Sequence, residues 1–305
     1  MTDPIKPLHI VSVSLGSSSR DSVAEVTLLG RAVRIERRGT DESFPRAIAM
    51  IEELDGKVDA ISLGGIDLYL VAAGKKFMIR DAKRLANAVK ITPVVDGSGL
   101  KHTLERRALL WLQQSGAIDF RGKKVLLVSA VDRFGMAETL PELEAIPCFG
   151  DLIFALGIPL PISSLATLKL VAWTLLPIIC ALPFSMIYPT GEKQETTVSK
   201  HGKYFAWADI IAGDFHYIRR YMPERLDGKI IITNTLTEKD LALLQARGVA
   251  TLVSTTPELN GRSFGTNAME GVIVSLLGKR PEELTPQDYL SCLDQLAWTP
   301  RVIRF

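Results

Sequence analysis

The sequence predicts an α/β protein in two domains, and three observations carry that expectation. At 305 residues the chain exceeds one domain of the usual ~150 residues. Strand-like runs rich in β-branched residues alternate with amphipathic helical stretches. In the second half those runs are separated by helix-length segments, the spacing of a parallel sheet joined by crossovers.

In chain order, residues 9–15 and 24–37 alternate as strands do, and 43–56 reads as a helix with Ser43 as its cap. Residues 59–66 form a short buried strand, and 68–79 a hairpin turning at Ala73-Gly74-Lys75. A helix from Arg80 and a strand over 92–97 lead to an amphipathic helix over 102–116, ending at Gly116. A second series has strands at 125–131, 145–151, 208–214, 228–234 and 250–256, with helices at 134–144, 237–247 and 265–277. Thr285-Pro286 opens a last helix. The expected organisation is an α/β substrate-type domain over 1–120, a Rossmann-like, doubly wound parallel-sheet domain over 121–278 and a C-terminal helix within 279–305 that returns to the first domain.

Composition narrows the functional classes. A net charge of +2 with dispersed basic residues gives no footprint for nucleic acid. Cys148, Cys180 and Cys292 lie far apart and lack metal-ligand spacing, so a reducing, cytoplasmic setting is expected. The first fifteen residues lack the layout of a secretory signal, and no export is expected. One segment is anomalous: from Leu152 to Pro189 the only charge is Lys169. Pro177 and Pro183 interrupt the run, so the first expectation is proline-broken helices buried in a domain contact or a homodimer contact. Peripheral contact with a membrane surface is the second, and a span the third.

Chemistry is sought where parallel strands end. The stretch VLLVSAVDRFGMAE (125–138) sits where a dinucleotide fold keeps its glycine-rich turn, yet Ser129 and Val131 replace the first two glycines and Gly135 stands near the third. Asp132 opposes an anion there unless Arg133 offsets it. Asp151 ends the next strand at the spacing of a ribose-binding acid, with helix capping as the alternative. In ADIIAGDFHYIRRYMP (208–223), Asp214 and His216 leave a strand end together. They read as an oriented base with Arg219 and Arg220 as an anion clamp, or as an ordinary helix start. Asp96 in PVVDGSG reads as a general base or a cap. The loops 15–22 with Arg20, 188–195 with Lys193 and Glu195, and 261–271 with Asn267 and Glu270 are further candidates for ligand contact.

The order of these parts resembles the shikimate and quinate dehydrogenase family. VVDGSG is similar to its Asn-Thr-Asp-x-x-Gly motif at Asp96 and Gly99, with Val94-Val95 in place of Asn-Thr. GTNAMEGVIVSLLGK resembles its late helix, with Asn267 nearest to the substrate-contacting glutamine. DGSGLK, DRFGMAE, GDLIFALG, YPTGEKQE, AGDFHYIRRYMP and GRSFGTN resemble a bacterial group carrying a quinate/shikimate dehydrogenase-like label. The resemblance implies an NAD(P)-linked oxidoreductase acting on a small polar or hydroxylated substrate. Its implied catalytic residues are Asp96 and a lysine among Lys75, Lys76 and Lys83, of which Lys83 is preferred, beside Asp214 and His216. NAD or NADP would meet Ser129, Asp132, Arg133, Gly135 and Asp151, while Asn267, Arg219 and Arg220 would meet substrate. The family's glycine-rich turn is mostly missing, and the apolar insertion has no counterpart in the ordinary enzymes. Two readings remain beside it: a regulatory or scaffold protein, and a non-redox acid/base enzyme using Asp132, Asp214 and His216.

Overall fold

A computed structural model describes residues 6–187, 200–256, 258–259 and 262–305. The first sheet contains β1 (Leu8–Ser14), β2 (Ser22–Leu28), β3 (Arg31–Gly39), β4 (Ala60–Gly64) and, after the hairpin β5 (Tyr69–Ala72) and β6 (Lys75–Met78), β7 (Val94–Val95). Its order is β2-β3-β1-β4-β7, with only β2 antiparallel to its neighbour. Leu29 and Gly30 both have positive φ, which gives the β2–β3 hairpin the tight turn that matches strand twist. Ser43 caps α1 (Phe44–Leu54) by accepting the Arg46 amide, as its position predicts. The short helix α2 (Arg80–Ala86) precedes β7, and the long helix α3 (Ser98–Gln114) follows it.

The second sheet holds β8 (Lys124–Leu127), β9 (Ile146–Phe149), β10 (Ile210–Ala212), β11 (Ile230–Thr233), β12 (Thr251–Ser254) and β15 (Arg301–Arg304). Its order is β15-β12-β11-β10-β8-β9, parallel except for β15. Between them come α4 (Phe134–Glu142), α5 (Asp151–Phe154), α6 (Leu165–Ile179), α7 (Phe184–Ile187), α8 (Gly202–Trp207), α9 (Phe215–Tyr221) and α10 (Glu238–Ala246). The small hairpin β13 (Glu258–Leu259) and β14 (Arg262–Ser263) leads to α11 (Thr266–Leu277), and α12 (Pro286–Gln295) follows. The fold is therefore the doubly wound, two-sheet α/β arrangement expected from the strand–helix alternation.

Side chains along β8 alternate between the two faces of the sheet as its pleat requires. Leu126 joins Ile211, Ile231 and Leu252 on one face of the second sheet, and Val125 and Leu127 join Ile210, Ile232 and Val253 on the other. The latter cluster is continuous with Val11, Val13, Ile61 and Leu63 of the first sheet through Leu109 and Leu112 of α3, so apolar packing couples the two sheets. On the opposite face of the first sheet, Ile10, Ile35 and Ala60 pack against Met269, Val272 and Ile273 of α11 and Leu293 of α12. The helix expected over 265–277 as part of the second domain buries its face on the first sheet.

Three local differences from the sequence reading have physical causes. The strand expected over 125–131 ends at Leu127, because residues 128–133 turn away although Val128 and Ala130 are buried. The last residues, beyond the expected final helix, add β15 along the edge of β12, register Thr251 to Arg304. The apolar insertion places α6 beside the β5–β6 hairpin, burying Leu168, Ala172 and Leu176 and leaving its other side in solvent. Among the described residues no helix is long and apolar enough to cross a membrane.

Candidate functional site at the junction of the two sheets

The chain steps from β8 outward to β9 and then back to β10 on the other side of β8. The crevice between such strands, beyond their carboxyl ends, is where doubly wound sheets place ligands. Residues 128–133 and Gly213-Asp214 emerge there. Facing them is the first turn of α3, which starts after β7 on Gly97, held at a φ of 95° that favours glycine.

A buried charge network spans this junction. The Lys101 ammonium on α3 lies 2.8 Å from Asp132 Oδ1 and 3.1 Å from Asp67 Oδ1. Burial works against its charge, but Asp132 and Asp67 outweigh it and hold its pKa above the ordinary lysine range. Lys101 is thus a permanent cation and donor. Arg133, almost wholly buried, pairs with Glu105 one turn along α3, lies 3.1 Å from Asp132 Oδ2 and donates to Asp214 Oδ2 at 2.8 Å. Although burial opposes ionisation, Lys101 and Arg133 bring the Asp132 carboxyl down to about 2, and Arg133 keeps Asp214 below its ordinary value. Burial pushes Glu105 up to about 7 against the pull of Arg133. Tyr69, Ser98, Lys101, Glu105 and Asp132 surround a space of about 10 Å³, room for one water. The side chains of Asp67, Asp132 and Asp214 remain 18%, 24% and 20% exposed, so the rim of this network is open to a solute.

Asp214 also caps α9 by accepting the His216 amide at 2.9 Å, and Asn234 Nδ2 donates to it at 3.2 Å. The expected Asp214–His216 dyad is not formed through the ring, because His216 points its side chain into solvent as the helix begins. Arg219 faces Asp240 of α10 at 3.4 Å, and the Arg220 guanidinium lies 5.4 Å from the centre of the Tyr221 ring. Lys83 is exposed on α2, outside the network, as Lys75 and Lys76 are on the hairpin.

The other candidates are engaged inside the protein. Asp96 is buried and accepts the amides of Leu68 at 2.5 Å, Tyr69 at 3.0 Å and Ser98 at 3.0 Å, tying the start of β5 to the entry of α3, whose N-cap position is Gly97. Asn267 donates to Ser12 Oγ and to the Leu63 carbonyl, both at 2.9 Å, tying the start of α11 to the ends of β1 and β4. Glu270 accepts from the Gly97 amide at 2.6 Å and the Tyr289 hydroxyl at 2.8 Å; burial, then Asp96, pushes it up to about 7. In the serine-rich turn the Ser18 amide donates to Asp41 at 2.7 Å, and Arg20 is exposed. Lys193 and Glu195 lie outside the described residues.

The turn after β8 decides how a dinucleotide fits. The amides of Ala130 and Val131, which a pyrophosphate would need, donate instead to Asp151 at 3.1 and 2.9 Å. The acid spaced to hold a ribose therefore fills the anion position itself, and burial pushes its carboxyl up to about 6 although those amides favour ionisation. Gly135 supplies close helix packing, for a side chain there would meet the His102 carbonyl of α3. Ser129 is buried with an unpartnered hydroxyl. Beyond β9, where the dinucleotide order continues with another parallel strand, the chain makes one antiparallel bridge between Phe149 and Ile162. The residues at this turn, as arranged, do not fit a nicotinamide dinucleotide.

Lys101, Asp67 and Glu105 were not singled out from the sequence. Lys101 and Glu105 stand four residues apart on one side of α3, and Glu105 falls among the helix's buried positions Leu104, Ala108 and Leu112. A charged residue on the apolar side of a helix is the signal that points to them.

Comparison with known proteins adds the following. No curated protein matches the chain in sequence. Among solved structures, a hetero-hexameric glutamate dehydrogenase from Thermus thermophilus aligns with 13% identity over 95% of this chain and 74% of that one, at a TM-score of 0.44. An NAD-dependent malic enzyme from Thermotoga maritima aligns with 11% identity over 95% and 84%, at 0.36. GanP, a glucose-galactose binding protein from Geobacillus stearothermophilus, aligns with 11% identity over 98% of both chains, at 0.35. Dehydrogenases and a sugar-binding protein thus align alike, and none of their activities is carried over. Residues 9–96 match a family described as Domain of unknown function (DUF8753). Residues 99–305, well over half of the chain, match another, and the chain belongs to that family, Domain of unknown function (DUF8754).

Proposed function

We propose that the chain is an enzyme acting on a small, uncharged, hydroxylated or carbonyl-bearing molecule at the junction of its two sheets, by proton transfer and charge stabilisation. The observation that carries this reading is Lys101, fixed between Asp67 and Asp132 at the carboxyl ends of strands from both sheets. A cation held in a partly dry setting stabilises negative charge developing on a substrate oxygen. Asp132 and Asp214, kept ionised by their basic neighbours, accept hydrogen bonds from substrate hydroxyls at the rim. Glu105, with a carboxyl near 7, takes or returns the proton. The surplus of carboxylates over Lys101 and Arg133 disfavours a phosphorylated substrate.

The NAD(P)-linked oxidoreductase implied by the family resemblance is the second reading. The strand order, which reverses direction beside Lys101, favours it. It requires Asp151 to release the amides of Ala130 and Val131.

A thermal-shift panel of polyols, hydroxy-ketones, sugar phosphates and nicotinamide dinucleotides tests the choice. Stabilisation by uncharged hydroxylated compounds, lost in Lys101→Met and Asp214→Asn, is expected. Stabilisation confined to phosphates or dinucleotides would overturn the leading reading.

A further inference from the structure

On α6 the outward positions Ala166, Thr167, Leu170, Trp173, Thr174, Pro177 and Ile178 recur at helical spacing and include no charged residue. Leu170, Trp173 and Ile178 are 65%, 56% and 63% exposed. A solvent-facing stripe with no charge is unusual on a helix whose other side is already packed. Leu156, Ile158 and Leu160, just before α6, and Met186, just after it, are exposed too.

What borders this stripe indicates what covers it. The Lys75 ammonium lies 5.6 Å from the centre of the Trp173 ring. The Arg80 amide donates to the Cys180 carbonyl at 2.9 Å, which sets α2 against the end of α6. Residues 68–90 carry Lys75, Lys76, Arg80, Lys83, Arg84 and Lys90 against the single acid Asp81. All six basic residues are exposed; Asp81 accepts the Phe184 amide at 2.7 Å and lies 3.6 Å from Arg80 Nε, so one acid stands against six cations. Exposed hydrocarbon with a tryptophan, flanked on the hairpin and α2 by an excess of lysine and arginine, matches the boundary of an anionic bilayer: acyl chains for the stripe, headgroup phosphates for the rim. A second copy of this chain would bring the same basic rim against itself wherever the two stripes met in a symmetric pair.

We propose that α6, with the β5–β6 hairpin and α2, docks the protein on the surface of an anionic membrane, with α6 lying in the interface. The attachment is peripheral, because α6 has fifteen residues and spanning needs about 20.

Co-sedimentation with vesicles of phosphatidylcholine, with and without phosphatidylglycerol, tests this. The wild type should pellet with the anionic vesicles, less at high salt, and hardly with the neutral ones. Lys75→Gln/Lys76→Gln should weaken binding about thirtyfold, taking each basic residue at its usual contribution near such a surface. Leu170→Ser/Trp173→Ser should weaken it at least about tenfold, and both variants should keep the wild-type circular dichroism and melting temperature. No pelleting by the wild type, or pelleting that both variants retain, overturns the proposal. So does a concentration-dependent dimer that the Leu170→Ser/Trp173→Ser variant abolishes while vesicles are ignored.

Discussion

At the junction of the two sheets, Arg133, Glu105 and Lys101 are charges taken out of water; on α6, Leu170, Trp173 and Ile178 are hydrocarbon left in it. Both regions run against the usual distribution of polarity, in opposite directions. At the junction each charge faces an opposite charge, so charge is balanced within the chain, although Glu105 Oε2 and Arg133 Nε lack a hydrogen-bond partner among the described residues. On α6 the described residues offer no cover for the stripe, which directs attention to a surface outside the chain. Buried charges that are paired but not fully hydrogen-bonded read as a site, and hydrocarbon left uncovered reads as a docking face.

Substitutions sharpen this contrast. Arg133→Met leaves Glu105, Asp132 and Asp214 without their shared cation and should cost about 3–5 kcal/mol in denaturant melts. A loss below about 1 kcal/mol would mean that the carboxylates had never depended on it. Leu168→Ala, on the buried side of α6, should cost about 2–5 kcal/mol. Glu270 tests a buried carboxyl outside the network. Its folded pKa, about 7, lies above the ordinary 4.5, so it favours the fold fully below 4.5 and loses that contribution as pH rises through about 7. Glu270→Gln should therefore flatten the fall in stability across that window, by on the order of 1–3 kcal/mol. An unchanged slope would show that Glu270 does not titrate there. Trp173→Ala, five residues beyond Leu168 on the solvent side of α6, should change stability by no more than about 0.5 kcal/mol.

Much of the fold is legible because its signals are local. Ser43 caps α1, Ala73 and Gly74 turn the β5–β6 hairpin with positive φ, and Thr285 with Asp288 forms the capping box that opens α12. What escapes is set by distant partners. Val128 and Ala130 prolong the strand-like composition of β8, yet the chain turns there, its amides drawn to Asp151 twenty residues on. The spacing of Asp151 marked it as unusual; whether it would hold a ribose or its own backbone depended on which way one side chain turned. β15 has only Val302 and Ile303 to announce it, and the open edge of β12 makes it a strand. Of the candidate site, the strand-end positions of Asp132 and Asp214 were readable, whereas the role of Lys101 needed α3 to be laid across the second sheet.

The turn after β8 is liganded from within by Asp151, and we propose that the crevice works without a dinucleotide. Calorimetric titration of NADH and NADPH into the wild-type protein tests it most directly. No heat of binding is expected at millimolar ligand. Saturable binding of either dinucleotide by the wild-type protein would contradict it.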